Sequence, residues 1–509
     1  MKNKSKYNPV EILLILMLLL YPLIFTRLYS NISNTKYITF MLFAITIYYA
    51  YIMKLAFKNI EVNKSFKPSI KKAWLNFSLV DYAMLLFLLA NFVSVLLSDY
   101  KIETFTGSCS KNMGLIYNVA LVMIYFAIRG GCSISKGIFY ALGSSYIIMI
   151  LFSTVQFMGF DLFGFIAKLT STDTINYLSL LGNTNVYSSY LCLVSPVFMV
   201  GAVLSKKQGN RIFCYILSTF GFIGLFTANS DSGYIGYFTA FILILFIATR
   251  YKERLIRYLY LCLLYLISTS IFFIIHSTFK SQARPLSDIT RIMCYGSITK
   301  ILILVFVLLI FILHKINFNE NAIKITRRVI RILLGVFIVS AVFIVIYLNI
   351  IDHNASLGKL DVYLKFSDSW GTDRGYVWKW SINIFKDGNL LQKIFGYGPG
   401  TCGIELLLNY GDIMKYDLGY YFTNSHNEYL EILINIGILG LASYIVAIVL
   451  TVVKNFKRKN SLKLCFSIAI IAYCMQSFFI IMQPIVNPLV FIFLGLANAK
   501  SASDKYFDI

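Results

Sequence analysis

Fourteen apolar runs follow one another along this chain, most of them close to the ~20 residues needed to cross about 30 Å of hydrocarbon. They lie at residues 10–28, 37–57, 79–97, 114–129, 136–158, 186–204, 211–229, 232–249, 256–276, 299–314, 328–350, 427–453, 462–482 and 484–499. The last is short and nearly touches its neighbour, so the reading is an all-α polytopic membrane protein with about 12–14 transmembrane helices. A soluble fold is excluded, because 58% of the 509 residues are hydrophobic and only 14% are charged. Lys2, Lys4 and Lys6 before the first run have the outward form of a secretory leader. No small-residue cleavage site follows and the run is long enough to span, so it is read as the first helix.

The net charge of +23 is too dispersed to imply a nucleic-acid partner and is read instead as a topology signal. The basic residues gather in alternate loops. One group is Lys58, Lys64, Lys67, Lys71 and Lys72, a second Lys206, Lys207 and Arg211, and a third Arg250, Lys252, Arg254 and Arg257. Lys315, Lys324, Arg327, Arg328 and Arg331 form a fourth, and Lys454, Lys457, Arg458, Lys459 and Lys463 a fifth. With the spans above, all five fall on one side, which the positive-inside rule makes cytoplasmic together with both termini. The division that follows is an N-terminal bundle over 1–350, a large extracytoplasmic loop over 351–425, C-terminal spans over 426–499 and a cytoplasmic tail over 500–509.

A stretch as long as 351–425 calls for structure of its own, and short helices are expected in it. Asp373 to Asp387 reads as a helix lying along the membrane, with Asp373 as N-cap and Trp378 and Trp380 at headgroup level. No internal repeat of the transporter kind is present. The nine cysteines form no CxxC pair and have no His at metal spacing, so no metal site is expected. Cys109, Cys294 and Cys402 fall in outer loops, where a disulfide is open but cannot be assigned.

Four polar constellations lie at the outer ends of spans. In the block Thr423 to Glu431, Ser425 and Glu428 have capping-box spacing, which would put His426 in the first helical turn. The positive end of the helix would keep that imidazole neutral, as a general base must be; the plainer reading is a polar residue at the water interface. Arg374 offers planar donors suited to a phosphate or pyrophosphate, or else it meets lipid headgroups. Asn183 and Asn185 either bind sugar hydroxyls or cap the span that follows, and capping is favoured. Asp231, in a tight outer hairpin, either orients a base or acceptor hydroxyl or caps its helix. Gly396 to Gly400 lacks the strand and the Lys-Ser or Lys-Thr of a phosphate loop and is read as a backbone turn.

Their order along the chain carries more than any one of them. Gly-Asn-x-Asn at 182, Ser-x-x-Gly at 230, Arg374 with Trp378, Gly-x-Gly-x-Gly at 396 and the block His426, Asn427, Leu430, Glu431, Gly437, Ile438, Gly440 together resemble the O-antigen ligase and polymerase family. The resemblance runs from about Gly182 to Tyr444 and rests chiefly on the last block. It implies a metal-independent glycosyltransferase without cofactor that moves a glycan from an undecaprenyl-pyrophosphate carrier to a sugar hydroxyl at the outer face of a bacterial plasma membrane. His426 would be its base and Arg374 its pyrophosphate-binding arginine, with Asn183, Asn185, Asp231, Asn427, Glu431 and Trp378 about the substrate. The family usually has Arg where Asp231 stands, so a second cation must come from elsewhere, with Lys280, Arg284 and Arg291 as candidates. The partners implied are the lipid-linked oligosaccharide, the bilayer, and a flippase and chain-length regulator, with no nucleic acid. A polymerase of surface polysaccharide repeat units is preferred to a ligase acting on lipid, cell wall or protein, because the Lys-, Ile-, Asn- and Tyr-heavy composition suits an AT-rich genome, read as that of a bacterium without the ligase's lipopolysaccharide acceptor. A lipid-linked oligosaccharide flippase is the rival from another class; transporters keep ionisable groups near the bilayer midplane, and this chain has few there.

Overall fold

The computed structural model describes residues 8–63, 77–108, 111–167, 169–316, 320–458 and 460–499. Lys64, Lys67, Lys71, Lys72, Cys109, Lys459 and the tail 500–509 lie outside these residues. Among the described residues, eleven helices are long and apolar enough to cross a membrane, and Pro9–Leu20, Leu115–Gly131 and Asn487–Ala497 are shorter apolar helices. Every expected run is therefore helical, as a chain in hydrocarbon requires when each backbone group must find its partner within its own segment. The first run ends earlier than expected, at Leu20, since Pro22 has no N–H to extend the ladder. The freed carbonyls of Tyr21 and Pro22 accept from the buried Lys36 Nζ at 2.7 and 2.8 Å. The strands among the described residues are a two-residue antiparallel pair, Tyr177–Leu178 with Gly182–Asn183.

The centre of the bundle is the wholly buried helix Thr184–Leu204. Its neighbours approach through small residues: Gly201 faces Cys214, Gly233 faces Ser188 and Gly236 faces Cys192. Close backbone approach of this kind replaces the hydrophobic drive that lipid cannot supply. By contrast Ser297–Lys315 packs chiefly on Lys252–Thr278 and leaves most of its surface outward, and the long helix Glu320–Ile346 presents nearly its whole surface outward.

Basic groups gather at one end of the bundle. There Lys54 Nζ and Asn8 Nδ2 share the Gly131 carbonyl (2.7 and 2.8 Å), Arg129 pairs with buried Asp81, and Lys463 Nζ reaches the Ala499 carbonyl (2.6 Å). Asn8 and Ala499 thus both lie at the basic end.

At the other end, the chain between Ile351 and Glu428 folds into the helices Asp361–Leu364, Trp370–Asp387, Leu390–Phe395 and Cys402–Leu418. They enclose a second apolar core of Tyr376, Val377, Ile384, Leu406, Met414 and Phe422. One expectation about this region changes. The helix expected over 373–387 is present, but Gly371, Thr372 and Asp373 before it have φ of 62°, 60° and 61°, so Asp373 does not cap it. Trp380 stacks on Tyr410 with centroids 4.3 Å apart, and Trp378 on Trp370 at 5.2 Å, so the loop's own packing engages both indoles. Cys294 and Cys402 are free, buried thiols.

The loop is clamped to the bundle by a reciprocal glycine joint. Tyr397 N and Gly398 N donate to the Ile434 and Asn435 carbonyls, each at 2.9 Å, where the Glu428–Arg458 helix is broken at Ile436 and Gly437. A Cβ on Gly396 (φ 78°) would run into the Asn435 carbonyl, and one on Gly437 (φ 68°) into that of Ile394. The Gly396 to Gly400 segment is thus a backbone turn, as expected, and Gly396 and Gly437 allow the two backbone segments to touch.

Candidate active site

Where the loop meets the bundle, a cavity of about 1330 Å³ opens. Ile235, Phe238, Phe241, Leu266, Leu302 and Phe306 line it, and with them the polar side chains of His426, Arg374, Arg284, Asp231, Asn183 and Asn185.

His426 is held by an arrangement different from the one its spacing suggested. The N-cap of the Glu428–Arg458 helix is Asn427, whose Oδ1 accepts from Tyr429 N and Leu430 N at 3.0 and 3.1 Å. The Ser425–Glu428 capping box does not form. Glu428 accepts instead from the Tyr444 and Tyr473 hydroxyls at 2.7 and 2.6 Å, and Glu431 Oε2 takes both Ser425 N and Ser425 Oγ at 3.0 Å. His426 therefore precedes the helix, in left-handed backbone (φ 48°), with its N–H on Asn424 Oδ1 at 3.0 Å and its ring edge-on to Phe422. The imidazole is neutral as expected but for another reason. Burial first, then the neighbouring charges of Arg374 and Lys111, bring its pKa from 6.5 to about 3.

Arg374 follows the left-handed turn and donates Nη1 to the Gly371 carbonyl, while its Nε is buried without a partner. Burial lowers its pKa, yet a guanidinium keeps its charge. The two site segments are tied together: Tyr420 OH donates to Asp373 Oδ2 at 2.6 Å, Tyr420 packs on Phe422, and Phe422 on His426.

Of the three candidates for a second cation, Arg284 lines the cavity, and neither Nη1 nor Nη2 has a hydrogen-bond partner. Lys280 and Arg291 are exposed and do not line it; Arg291 pairs with Asp288 at 3.4 Å. Asn183 caps Thr184–Leu204 through Asn185 N (2.8 Å), and Asn185 Oδ1 accepts from Ser230 Oγ (2.6 Å), while both still border the cavity. Asp231 opens its helix after the N-cap Ser230 and lines the cavity. Trp378 stands behind Trp370 and Phe479, which do line it. Asn427 and Glu431 are turned inward to hold the His426 turn.

One residue escaped the sequence reading. Lys111 Nζ donates to the Thr423 carbonyl at 2.8 Å, three residues before His426. A lysine in an outer loop, against the basic pattern of the other side, was the signal available for it.

Residues 289–445 match the family model described as O-antigen ligase, and no curated protein matches the chain. The resemblance carried by the His426 block is borne out over that segment, which also contains Arg374, the glycine joint and Arg291. The Gly182 and Ser230 motifs precede it. The many apolar helices mark an integral membrane protein, and the match over 289–445 supports lipid-linked glycan transfer in general.

Proposed function

We propose, from the premise that residues 289–445 form an O-antigen ligase segment, that this protein joins lipid-linked oligosaccharide repeat units as a polymerase. The donor is a glycan on undecaprenyl pyrophosphate and the acceptor is a sugar hydroxyl of a second unit. His426 takes the proton from that hydroxyl as its oxygen bonds to the donor's anomeric carbon. The bond from that carbon to the pyrophosphate breaks, and Arg374 and Arg284 hold the charge left on the departing carrier. The activated carrier bond supplies the free energy, so no nucleotide is needed.

The observation that carries this reading is that a neutral imidazole and two guanidiniums border one cavity whose apolar lining suits an isoprenoid tail. An imidazole with a pKa of about 3 is a weak base, and here the electrostatics help. A pyrophosphate bound at Arg374 offsets that neighbouring charge and raises the His426 pKa toward the range where a base works.

The site is assigned to the outer face of a bacterial plasma membrane and both termini to the cytoplasm, because the basic clusters gather at the opposite end of the bundle from the cavity. Membrane-impermeant labelling of a Tyr416→Cys variant, on the exposed face of the loop helix Cys402–Leu418, from outside intact cells is the expected result. Polar groups collected at one end, with an apolar lining beyond them, favour an enzyme over a flippase, which would set ionisable groups at mid-membrane. Purified protein incubated with a lipid-pyrophosphate oligosaccharide should give a ladder of products. A single discrete transfer to lipid, cell-wall or protein acceptor would mean a ligase, and no transfer would reject the enzyme.

A further inference from the structure

His426 borders a second cavity. It measures about 660 Å³, within the range of about 300–1,000 Å³ common for small-ligand sites. His426, Asn183, Asn185 and Phe479 line both cavities, so the imidazole stands at their boundary. The linings differ in kind. Aromatic and aliphatic side chains prevail in the first, whereas the second sets Asn31, Asn34, Asn112, Asn424 and Gln483 beside aliphatic residues such as Ile32 and Ile480, with Lys111 at its edge.

We infer that this second cavity is the acceptor subsite, where carboxamides and aromatic faces hold the sugar whose hydroxyl His426 deprotonates; the inference rests on the glycosyltransferase reading above. A carboxamide offers a donor and an acceptor side by side, which matches the mixed donor and acceptor character of a sugar hydroxyl. Asn112 Nδ2 and Asn34 Oδ1, 3.2 Å apart, bring two such groups together on one wall. Tyr29 and Tyr177, with ring centroids 5.3 Å apart, add aromatic faces against which the C–H side of a pyranose can lie. The second cavity is half the volume of the first and carries the denser set of carboxamides, so the donor's carrier is placed in the first and the acceptor's terminal sugar in the second, on opposite sides of the base.

The amides at 31, 34 and 112 and both tyrosines come from outside residues 289–445, whereas His426 and Arg374 lie inside. Acceptor selectivity is thereby assigned to the N-terminal part of the chain, and bond-breaking chemistry to the family segment.

The test uses full-length protein in nanodiscs and two probes. One is the cell's own lipid-pyrophosphate repeat unit, and the other is the same oligosaccharide freed of its carrier by mild acid. Binding is read by saturation-transfer NMR for the free sugar and by native mass spectrometry for the lipid-linked unit. Asn34→Ala and Asn112→Ala are each expected to weaken binding of the free oligosaccharide about tenfold, as loss of one or two buried hydrogen bonds does, with lipid-linked unit binding within about twofold. Arg374→Ala is expected to give the reverse pattern. Retained binding of the lipid-linked unit shows that the asparagine variants are folded. Free-sugar affinity unchanged in both variants, or both ligands lost equally from both, overturns the subsite. If wild-type protein makes no glycosidic bond yet its sugar binding depends on Asn34 and Asn112, the enzyme reading fails and the sugar site stands. If it polymerises while sugar binding ignores both residues, the subsite fails and the enzyme stands.

Discussion

His426 and Arg374 reach the same cavity by opposite means. The histidine turn is held from beneath by buried groups of a membrane-spanning helix: the Asn427 cap, the Glu431 carboxylate on Ser425, and the glycine joint farther along. The arginine stands on a loop helix after three consecutive residues in left-handed backbone, of which Thr372 and Asp373 are not glycine. Each such residue costs about 1–2 kcal/mol, so this turn persists only because surrounding contacts hold it. One visible restraint is the Tyr420–Asp373 hydrogen bond. The proposed base is thus placed by the bundle and the proposed anion clamp by a strained turn at the rim. Damage to the bundle should disturb the base, and damage to the loop should chiefly alter donor binding.

The largest expected effect comes from the two groups themselves. His426→Ala should lower kcat by about 10²–10⁴, the usual worth of general-base catalysis, with protein abundance and lipid-linked precursor unchanged in cells. Arg374→Ala should come close to it, and Arg374→Lys should recover only part of the loss, because a point charge replaces a planar fork. Normal polysaccharide length in both alanine variants would sink the assignment. Next in size is Glu431→Ala, which strands the Ser425 N–H in a buried site at a cost of about 1–3 kcal/mol. It should lower kcat by about 10–100-fold through displacement of the base, with the donor KM nearly unchanged. A raised donor KM with normal kcat would erase the distinction between the two arms.

The pH profile sharpens the same comparison. Because burial and two cations hold His426 to about 3, kcat/KM, which reports the free enzyme, should not fall as pH drops through 6.5 and should fail only near 3. The acid limb of kcat should lie at higher pH, since bound pyrophosphate stabilises the imidazolium. Removing Arg374 takes away a repelling charge, so Arg374→Ala should move the kcat/KM limb upward as well. The same depressed pKa means that any stability His426 contributes is present above 6.5 and is lost as pH falls toward 3. The smallest effect is Tyr420→Phe. Loss of its bond to Asp373, worth about 0.5–1.5 kcal/mol, should raise the donor KM by up to about tenfold without changing kcat. Arg291→Ala, on the exposed surface, should match wild type in a steady-state assay.

Much of the site could be read from residue type and order, and the misreadings share a cause. His426, Arg374 and the glycine turn were found because each combines an unusual residue with a local pattern. The capping role went to Ser425 because Ser-x-x-Glu spacing is a local rule, but Glu428 is drawn inward by Tyr444 and Tyr473, which no local rule registers. Asp373 was read as a cap for the same reason and is instead Tyr420's acceptor. Choosing Arg284 over Lys280 and Arg291, and finding Lys111, required knowing which loops fold back over the cavity.

What the amino-acid order determined by itself is the set of helices. In hydrocarbon each backbone N–H and C=O must be satisfied within its own segment, so about 20 apolar residues suffice to specify a span without reference to the rest of the chain. Which polar side chains share a pocket was decided by the tertiary structure alone. His426, Arg374, Arg284 and Asn34 are far apart in the chain, and only the packing of small residues between helices and the clamp at Gly396 and Gly437 bring them around one space.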